Sequence, residues 1–236
     1  MNLRFADEHD AAACLAIYAQ YIDTSITFET ALPSEDEFAG RIRSYGAVYP
    51  WLIAEEEGKI LAYAYAHRAQ ERAAYDWNAE LSVYVSKNAA GRGLGTRLYR
   101  ALLALLKEQG VRTAYGVVTM PNDASAALHR KLGFGLLGTY HNTGYKNGRR
   151  RDAGWFEKNN RVMWSCSKST SARLTACRSR SAPSASSQTA KRSCGRFEKQ
   201  PPVQHRGLFF AGLLSAVTAS PDRLPAFAAA DGAGAG

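Results

Sequence analysis

The sequence predicts a mixed α/β fold, a central β-sheet with helices on both of its faces. Two stretches carry the prediction. Within residues 80–106, Leu81, Val83 and Val85 alternate with Ser82 and Tyr84, as in a half-buried strand. Gly91-Arg92-Gly93-Leu94-Gly95 then break the chain, and Leu98, Leu102, Leu105 and Leu106 recur at helical spacing up to a stop at Gly110. Residues 111–119, rich in β-branched side chains, follow as another strand and complete a strand–helix–strand unit. Upstream, two strand-like runs, 49–56 and 59–68, meet at Glu57-Gly58, a hairpin signal.

The other elements follow in order. Residues 2–5 read as a first strand. Asp7 or Asp10 caps a helix carrying Ala13, Leu15, Ile17, Tyr18 and Ile22. Thr27-Phe28-Glu29-Thr30 is a loop, and Pro33-Ser34 opens a second helix to about Ser44. The central strand begins near Trp77. Asn122 caps a helix to Leu132, ended by Gly133. Residues 134–145 and 154–164 read as the last two strands, with Asn147-Gly148 as a turn between them. From Ser165 the periodicity fails, and Ser, Ala, Arg and Lys dominate. Residues 165–236 have a disorder composition: a low-complexity basic tail or an accidental extension behind one domain, 1–164.

The charge follows the same division. The formal net charge is +9, but residues 1–164 hold 20 Lys+Arg and 18 Asp+Glu, a net of +2, so the basic excess belongs to the tail. No aromatic residues interleave with basic ones between Ser165 and Arg196, so nucleic-acid binding by base stacking is not indicated. Of the four cysteines only Cys14 falls in the domain, which implies no disulfide framework and fits a reducing cytoplasm. The N-terminus lacks a signal-peptide pattern, and the longest apolar run, 207–217, is too short to span a bilayer.

Glycines before a helix let the backbone approach an anion, toward which the first helical N–H groups point. A pyrophosphate suits such a turn, and so does plain packing. The spacing is neither GxGxxG nor GxxxxGK[ST]. The chain has no HExxH or CxxC pair, so no metal is called for, and no Ser/His/Asp order. Acyl transfer from a thioester to an amine needs neither. It requires a base for the ammonium, a polarised carbonyl and a proton for the leaving thiolate.

The segment Ala90-Gly91-Arg92-Gly93-Leu94-Gly95 resembles the acetyl-CoA loop of the GNAT superfamily of N-acetyltransferases, [Q/R]-x-x-G-x-[G/A], with Ala90 where Gln or Arg is usual. Within that superfamily the chain is similar to the phosphinothricin N-acetyltransferases. The similarity runs from about residue 2 to 157 through TFET, YPWLIAEEEGK, AYAYA, YDWNAELSVYVS, GLGTRLY, PNDASAALHRKLGF and GTYHNTGYKNG. The resemblance implies the GNAT fold, in which two parallel strands, here 81–85 and 114–118, splay apart at the acetyl-CoA site. It implies acetyl-CoA as co-substrate, a small amino-acid-like acceptor and a homodimer.

The resemblance also places the site. Glu80 becomes the general base, a carboxylate at the start of the central strand. His129, in a position where many relatives in the superfamily carry Tyr, protonates the thiolate or assists proton removal. Val83, Tyr84 and Val85 offer backbone groups to the thioester oxygen and pantetheine. Gly91, Arg92, Gly93, Leu94, Gly95 and Thr96 hold the pyrophosphate, and Asn122 bonds the CoA arm. Phe28, Arg72 and Tyr75 form the acceptor pocket, with Arg72 suited to a bidentate grip on a carboxylate or phosphinate. Ala69 and Gln70 replace the family's Trp and Lys, so one ring and one positive charge are missing there. A sister group acting on methionine sulfoximine or sulfone, and a non-catalytic acyl-CoA-binding module, are the alternative readings.

Overall fold

The structure, a computed structural model, describes residues 1–159. The expected domain end at 164 and the tail 165–236 lie outside the described residues. Seven strands form one sheet: β1 (Asn2–Phe5), β2 (Trp51–Glu56), β3 (Lys59–Arg68), β4 (Asn78–Val85), β5 (Thr113–Met120), β6 (Gly135–Lys146) and β7 (Arg149–Asn159). Their order is β1-β2-β3-β4-β5-β7-β6. All neighbouring pairs are antiparallel except β4 and β5. The helices are α1 (Ala11–Ala19), α2 (Glu35–Gly46), α3 (Leu94–Glu108) and α4 (Asp123–Lys131). No helix among the described residues is long and apolar enough to cross a membrane.

Each face of the sheet carries its own core. On one face, Ala11, Cys14, Ile17 and Tyr18 of α1 and Phe38 and Ile42 of α2 pack against Trp51, Ile53 and Tyr63. On the other, Leu98, Leu102, Leu105 and Leu106 of α3 are fully buried against Leu52, Ala64 and Leu81. Each such leucine contributes about 1.5–3 kcal/mol by leaving water. Helix α2 begins in a capping box, with Ser34 Oγ accepting from Glu37 N–H and Glu37 accepting from Ser34 N–H.

Three local readings change. Helix α1 ends at Ala19, so Ile22 lies in the turn beyond it. Asp7 caps a short 3-10 turn, Glu8–Asp10, while Asp10 takes Arg4 as partner rather than capping α1. The last strand starts at Arg149, not at 154. Asn147 and Gly148 both have positive φ, 53° and 72°, the geometry of a two-residue hairpin turn, so pairing resumes at once with Lys146 opposite Arg149. The charged run 149–152 reads as loop only because its strand borders solvent. Residues 160–164 of that expected strand lie outside the described residues.

Candidate active site

The parallel pair is a fork. Strands β4 and β5 register only at Asn78–Thr113, Ala79–Ala114 and Glu80–Tyr115. Beyond Glu80 each arm is held by its outer neighbour alone: β4 by β3 as far as Val85–Ala62, and β5 by β7 as far as Met120–Asp152. The splay expected of 81–85 and 114–118 is therefore present.

Backbone alternation decides which groups face the gap. The amide of Ser86 donates to Leu61 O at 2.8 Å, so every second residue of β4, Tyr84 and Ser82 included, is turned toward β3. The amides and carbonyls of Leu81, Val83 and Val85 are turned the other way, into the fork. Two of those carbonyls receive hydroxyls: Tyr99 of α3 donates to Leu81 O at 3.1 Å, and Tyr21 donates to Val85 O. The amides of Val83 and Val85 are left as donors facing the gap, whereas that of Tyr84 is committed to the β3 ladder.

Glu80 and His129 flank the fork from opposite faces. Glu80 shares its face with Ser82, Tyr84 and, across the ladder, His67. Its side chain is 23% exposed and its carboxylate lies 3.8 Å from His67 Nε2. Burial raises its pKa above the usual carboxylate value, and the His67 charge opposes that rise.

His129 lies on the α3/α4 face, 2% exposed, between Tyr99, Phe134 and Phe156 at ring-centroid distances of 5.5, 5.1 and 5.2 Å. Its ring sits on Gly116 of β5, where a Cβ would stand 2.7 Å from Cδ2 and overlap Nε2. Nδ1 lies 2.8 Å from Ser125 O, and a carbonyl only accepts, so Nδ1 carries the hydrogen. Nε2 is then a buried lone pair with no partner among the described residues. Burial holds the pKa below its ordinary value against the opposing Ser125 bond, so the resting ring is neutral. A neutral ring of this tautomer presents Nε2 to the interior as a proton acceptor.

The glycine turn forms as expected. Gly91 and Gly93 have φ of 80° and 76°, and a Cβ at either would meet nothing within 4 Å, so the backbone there is open. Gly93 is the N-cap of α3, without a side-chain cap, and the first helical bond runs from Arg97 N–H to Gly93 O at 3.1 Å. The amides of Leu94, Gly95 and Thr96 precede that bond and suit phosphate oxygens. A Cβ on Gly95 would lie 3.4 Å from Leu128 and 3.8 Å from Val83 and Val85, so this glycine seats α3 against the fork. Arg92 is tied to Glu56 at 2.7 Å. Asn122 caps α4, accepting from Ser125 N–H at 3.1 Å, which leaves its side-chain NH₂ as a donor.

The expected acceptor residues fall in two places. Arg72 and Tyr75 are exposed in the connection from β3 to β4, Arg72 capping the short 3-10 turn Ala73–Tyr75 that leads toward Glu80. Phe28 packs on Gly144 of β6, where a Cβ would lie 2.7 Å from its Cε2. Its loop is fixed on both sides: Lys146 Nζ donates to Thr27 O at 2.8 Å, Thr27 and Tyr18 hydroxyls meet at 2.6 Å, and Arg41 pairs with Glu29 at 2.6 Å. No ring contact among the described residues joins Phe28 to Tyr75.

Sequence reasoning missed His67, Tyr99, Tyr21 and Gly116. Only Gly116 carries a signal, since an isolated glycine inside a strand marks a close approach. Cys14, a free thiol, is buried, and burial pushes its pKa up to about 12, away from the reactive thiolate.

Residues 3–155 match the acetyltransferase (GNAT) domain. The chain is 38% identical over 159 residues to a phosphinothricin N-acetyltransferase of Streptomyces viridochromogenes, covering 67% of this chain and 87% of the relative. It is 31% identical over 161 residues to an L-methionine sulfoximine/L-methionine sulfone acetyltransferase of Pseudomonas aeruginosa, covering 67% and 94%. Among solved structures, a phosphinothricin acetyltransferase of Sinorhizobium meliloti in complex with AcCoA superposes with a TM-score of 0.65 at 35% identity, covering 67% of this chain and 87% of that one.

Proposed function

The chain belongs to the GNAT family of acetyl-CoA-dependent N-acetyltransferases, and from that premise we propose that it acetylates the amino group of a small amino-acid analogue of the phosphinothricin type. The fork carries the reading. It offers two backbone donors, Val83 and Val85, beside a partly buried carboxylate, Glu80, in a family that uses acetyl-CoA.

The residues divide the work as follows. Amides at the start of α3 and the open turn at Gly91–Gly93 hold the phosphates of acetyl-CoA. The Val83 and Val85 amides take the pantetheine and the thioester oxygen, on which negative charge develops during attack. Glu80, its pKa raised by burial, accepts a proton from the acceptor ammonium directly or through water. The freed amine attacks the carbonyl carbon and the C–S bond breaks. His129 Nε2, a neutral acceptor on the far side of the fork, takes up a proton in the course of the reaction and can pass it to the thiolate. Arg72 grips the acceptor's acidic group, with Phe28 and Tyr75 as walls.

The name of the Pseudomonas relative supports a second reading, a sulfoximine or sulfone acceptor. Gln70 and Ala69 favour it, because a neutral side-chain group needs no second positive charge. We place the enzyme in the cytoplasm. The test is free-thiol release from acetyl-CoA across amino acids and their phosphinate, sulfone and sulfoximine analogues. Turnover of phosphinothricin above all others supports the first reading, and preference for sulfoximine or sulfone supports the second. No turnover with any amine would overturn both.

A further inference from the structure

We propose that His67 is a positioning residue for Glu80 and the exit for the proton that Glu80 removes. The inference rests on Glu80 being the base.

Glu80 and His67 are directly opposite each other in the β3–β4 ladder, so their side chains leave the same face side by side. Nε2 stands 3.8 Å from Oε1, with 26% of the His67 side chain and 23% of the Glu80 side chain exposed. His67 Nδ1 lies 3.0 Å from Arg68 O. A carbonyl only accepts, so Nδ1 carries a hydrogen in either protonation state. The nitrogen facing Glu80 is therefore the one with the lone pair in the neutral ring.

The ring is held in that pose. Tyr45 of α2 lies against it at 5.5 Å and 31°, and Tyr65 at 6.0 Å and 35°. The other charged or titratable groups around the pair are few. Tyr115 of β5 stands opposite Glu80, Glu157 of β7 stands opposite Tyr115, and Arg68 and Asp76 pair with each other at 3.1 Å. Among these groups His67 is the one whose charge opposes the burial of Glu80.

The reaction releases one proton overall: ammonium and thioester give amide, thiol and H⁺. An N–H bond of the acceptor breaks and an O–H bond forms on Glu80. That proton then passes to Nε2, through one water or after a small side-chain rotation closes the 3.8 Å gap, restoring the carboxylate and leaving an imidazolium that gives it to solvent. Among the described residues, His67 is the basic side chain that stands within 4 Å of the Glu80 carboxylate.

Two variants separate this from a packing role. His67→Asn keeps a donor for Arg68 O and removes the basic nitrogen, and His67→Gln keeps a neutral polar group near the carboxylate. With a cosubstrate-saturated thiol-release assay from pH 5 to 9.5, both are expected to lose about 3–30-fold in kcat at pH 7, part of the range for proton-transfer help. The acidic limb of kcat/KM for the acceptor should move to higher pH, because the imidazolium no longer favours the carboxylate. Acetyl-CoA KM should stay within twofold. In a Glu80→Gln background the His67 substitutions should add no further loss, since the proton they handle is no longer taken. An unmoved acidic limb, with kcat unchanged or lowered equally at every pH, overturns the role of His67 while leaving Glu80 as base. Additive losses in the double variants overturn it as well. Wild-type kcat in Glu80→Gln alone is a different failure, that of the base assignment beneath it.

Discussion

The hydroxyl of Tyr99 donates to the carbonyl of Leu81 at 3.1 Å, in the place that an amide of β5 would take if the parallel ladder continued. Tyr99 is 1% exposed, and burial keeps its hydroxyl protonated. A side chain of α3 thus satisfies a carbonyl that the opening of the sheet would otherwise orphan. Tyr99→Phe leaves that carbonyl buried and unpaired, at a cost of about 1–3 kcal/mol. Urea unfolding should show that loss, and acetyl-CoA KM should rise as the fork loses its fixed edge. A variant equal to wild type in both would show that the bond does not hold the fork.

Gly116 and His129 form a second such pair. Gly116→Ala puts a methyl group into the imidazole, whose Cδ2 lies only 2.7 Å from the new Cβ. Overpacking of this kind costs about 1–3 kcal/mol. The ring must move, so kcat should fall along with stability. In a His129→Ala background the same substitution has room, and its stability cost should largely vanish. An equal cost in both backgrounds would place the clash elsewhere.

These pairs mark where sequence reasoning stops. The strand at 81–85, the glycine turn and α3 are legible because alternation, φ > 0 and leucine spacing are local. The fork is not local. It depends on where two strands distant in sequence stop pairing, and on two tyrosine hydroxyls that look like any buried aromatic. His67 could not be tied to Glu80 without the register of β3 on β4. The start of β7 was hidden for a different reason: it is a polar strand start, with Arg149 and Arg150 exposed and Arg151 and Asp152 half-buried, which pattern reading takes for a loop.

The glycine turn can be tested with charge separated from backbone strain. Gly93 sits at φ 76°, so any side chain there costs about 1 kcal/mol, least for Asn and Asp. Gly93→Asn and Gly93→Asp share that strain and differ in charge. Acetyl-CoA KM should rise much more for Asp, because a carboxylate then faces the phosphates. Equal KM values in the two variants would remove the pyrophosphate from this turn.

Stability should fall at acidic pH through Asp10. Burial alone would raise its pKa, but Arg4, donating to both carboxylate oxygens at 2.7 Å, and the Asp7 amide together bring it below the ordinary value. A folded pKa below the unfolded one means stability that is present above the unfolded value, about 3.9, and is lost as pH falls through the folded one. Urea midpoints should therefore drop below about pH 4. Asp10→Asn should weaken that dependence and cost about 1–3 kcal/mol at neutral pH, because Arg4 loses a two-bond partner. A wild-type acid slope in Asp10→Asn would assign it to other carboxylates.

Glu80 and Arg72 should separate in kinetics, because the proposed function gives one a proton to remove and the other an acceptor to bind. Glu80→Gln keeps the size and removes the base. It should lower kcat about 10²–10⁴-fold, the range for losing general-base help, with a milder change in acceptor KM. The loss should shrink at high pH, where solution supplies free amine. The burial-raised pKa also sets an expectation for the wild-type profile: the acidic limb should lie above the ordinary carboxylate range, and it should disappear with the carboxylate. The sign for stability is opposite to that of Asp10. Ionised Glu80 is disfavoured by folding, so Glu80→Gln should leave the fold as stable or more stable at neutral pH. Arg72, exposed and without a side-chain partner among the described residues, should act mainly through acceptor KM when changed to Ala, since its contact is made in ground and transition states alike. Gln70→Lys adds a positive charge two residues from Arg72 and should favour phosphinothricin over acceptors with neutral side chains. If Arg72→Ala lowers kcat and leaves KM unchanged, Arg72 does not bind the acceptor's acidic group. If Gln70→Lys leaves the preference unchanged, the choice between phosphinate and sulfoximine lies elsewhere in the site, and the Phe28 loop held by Lys146 is the next place to change.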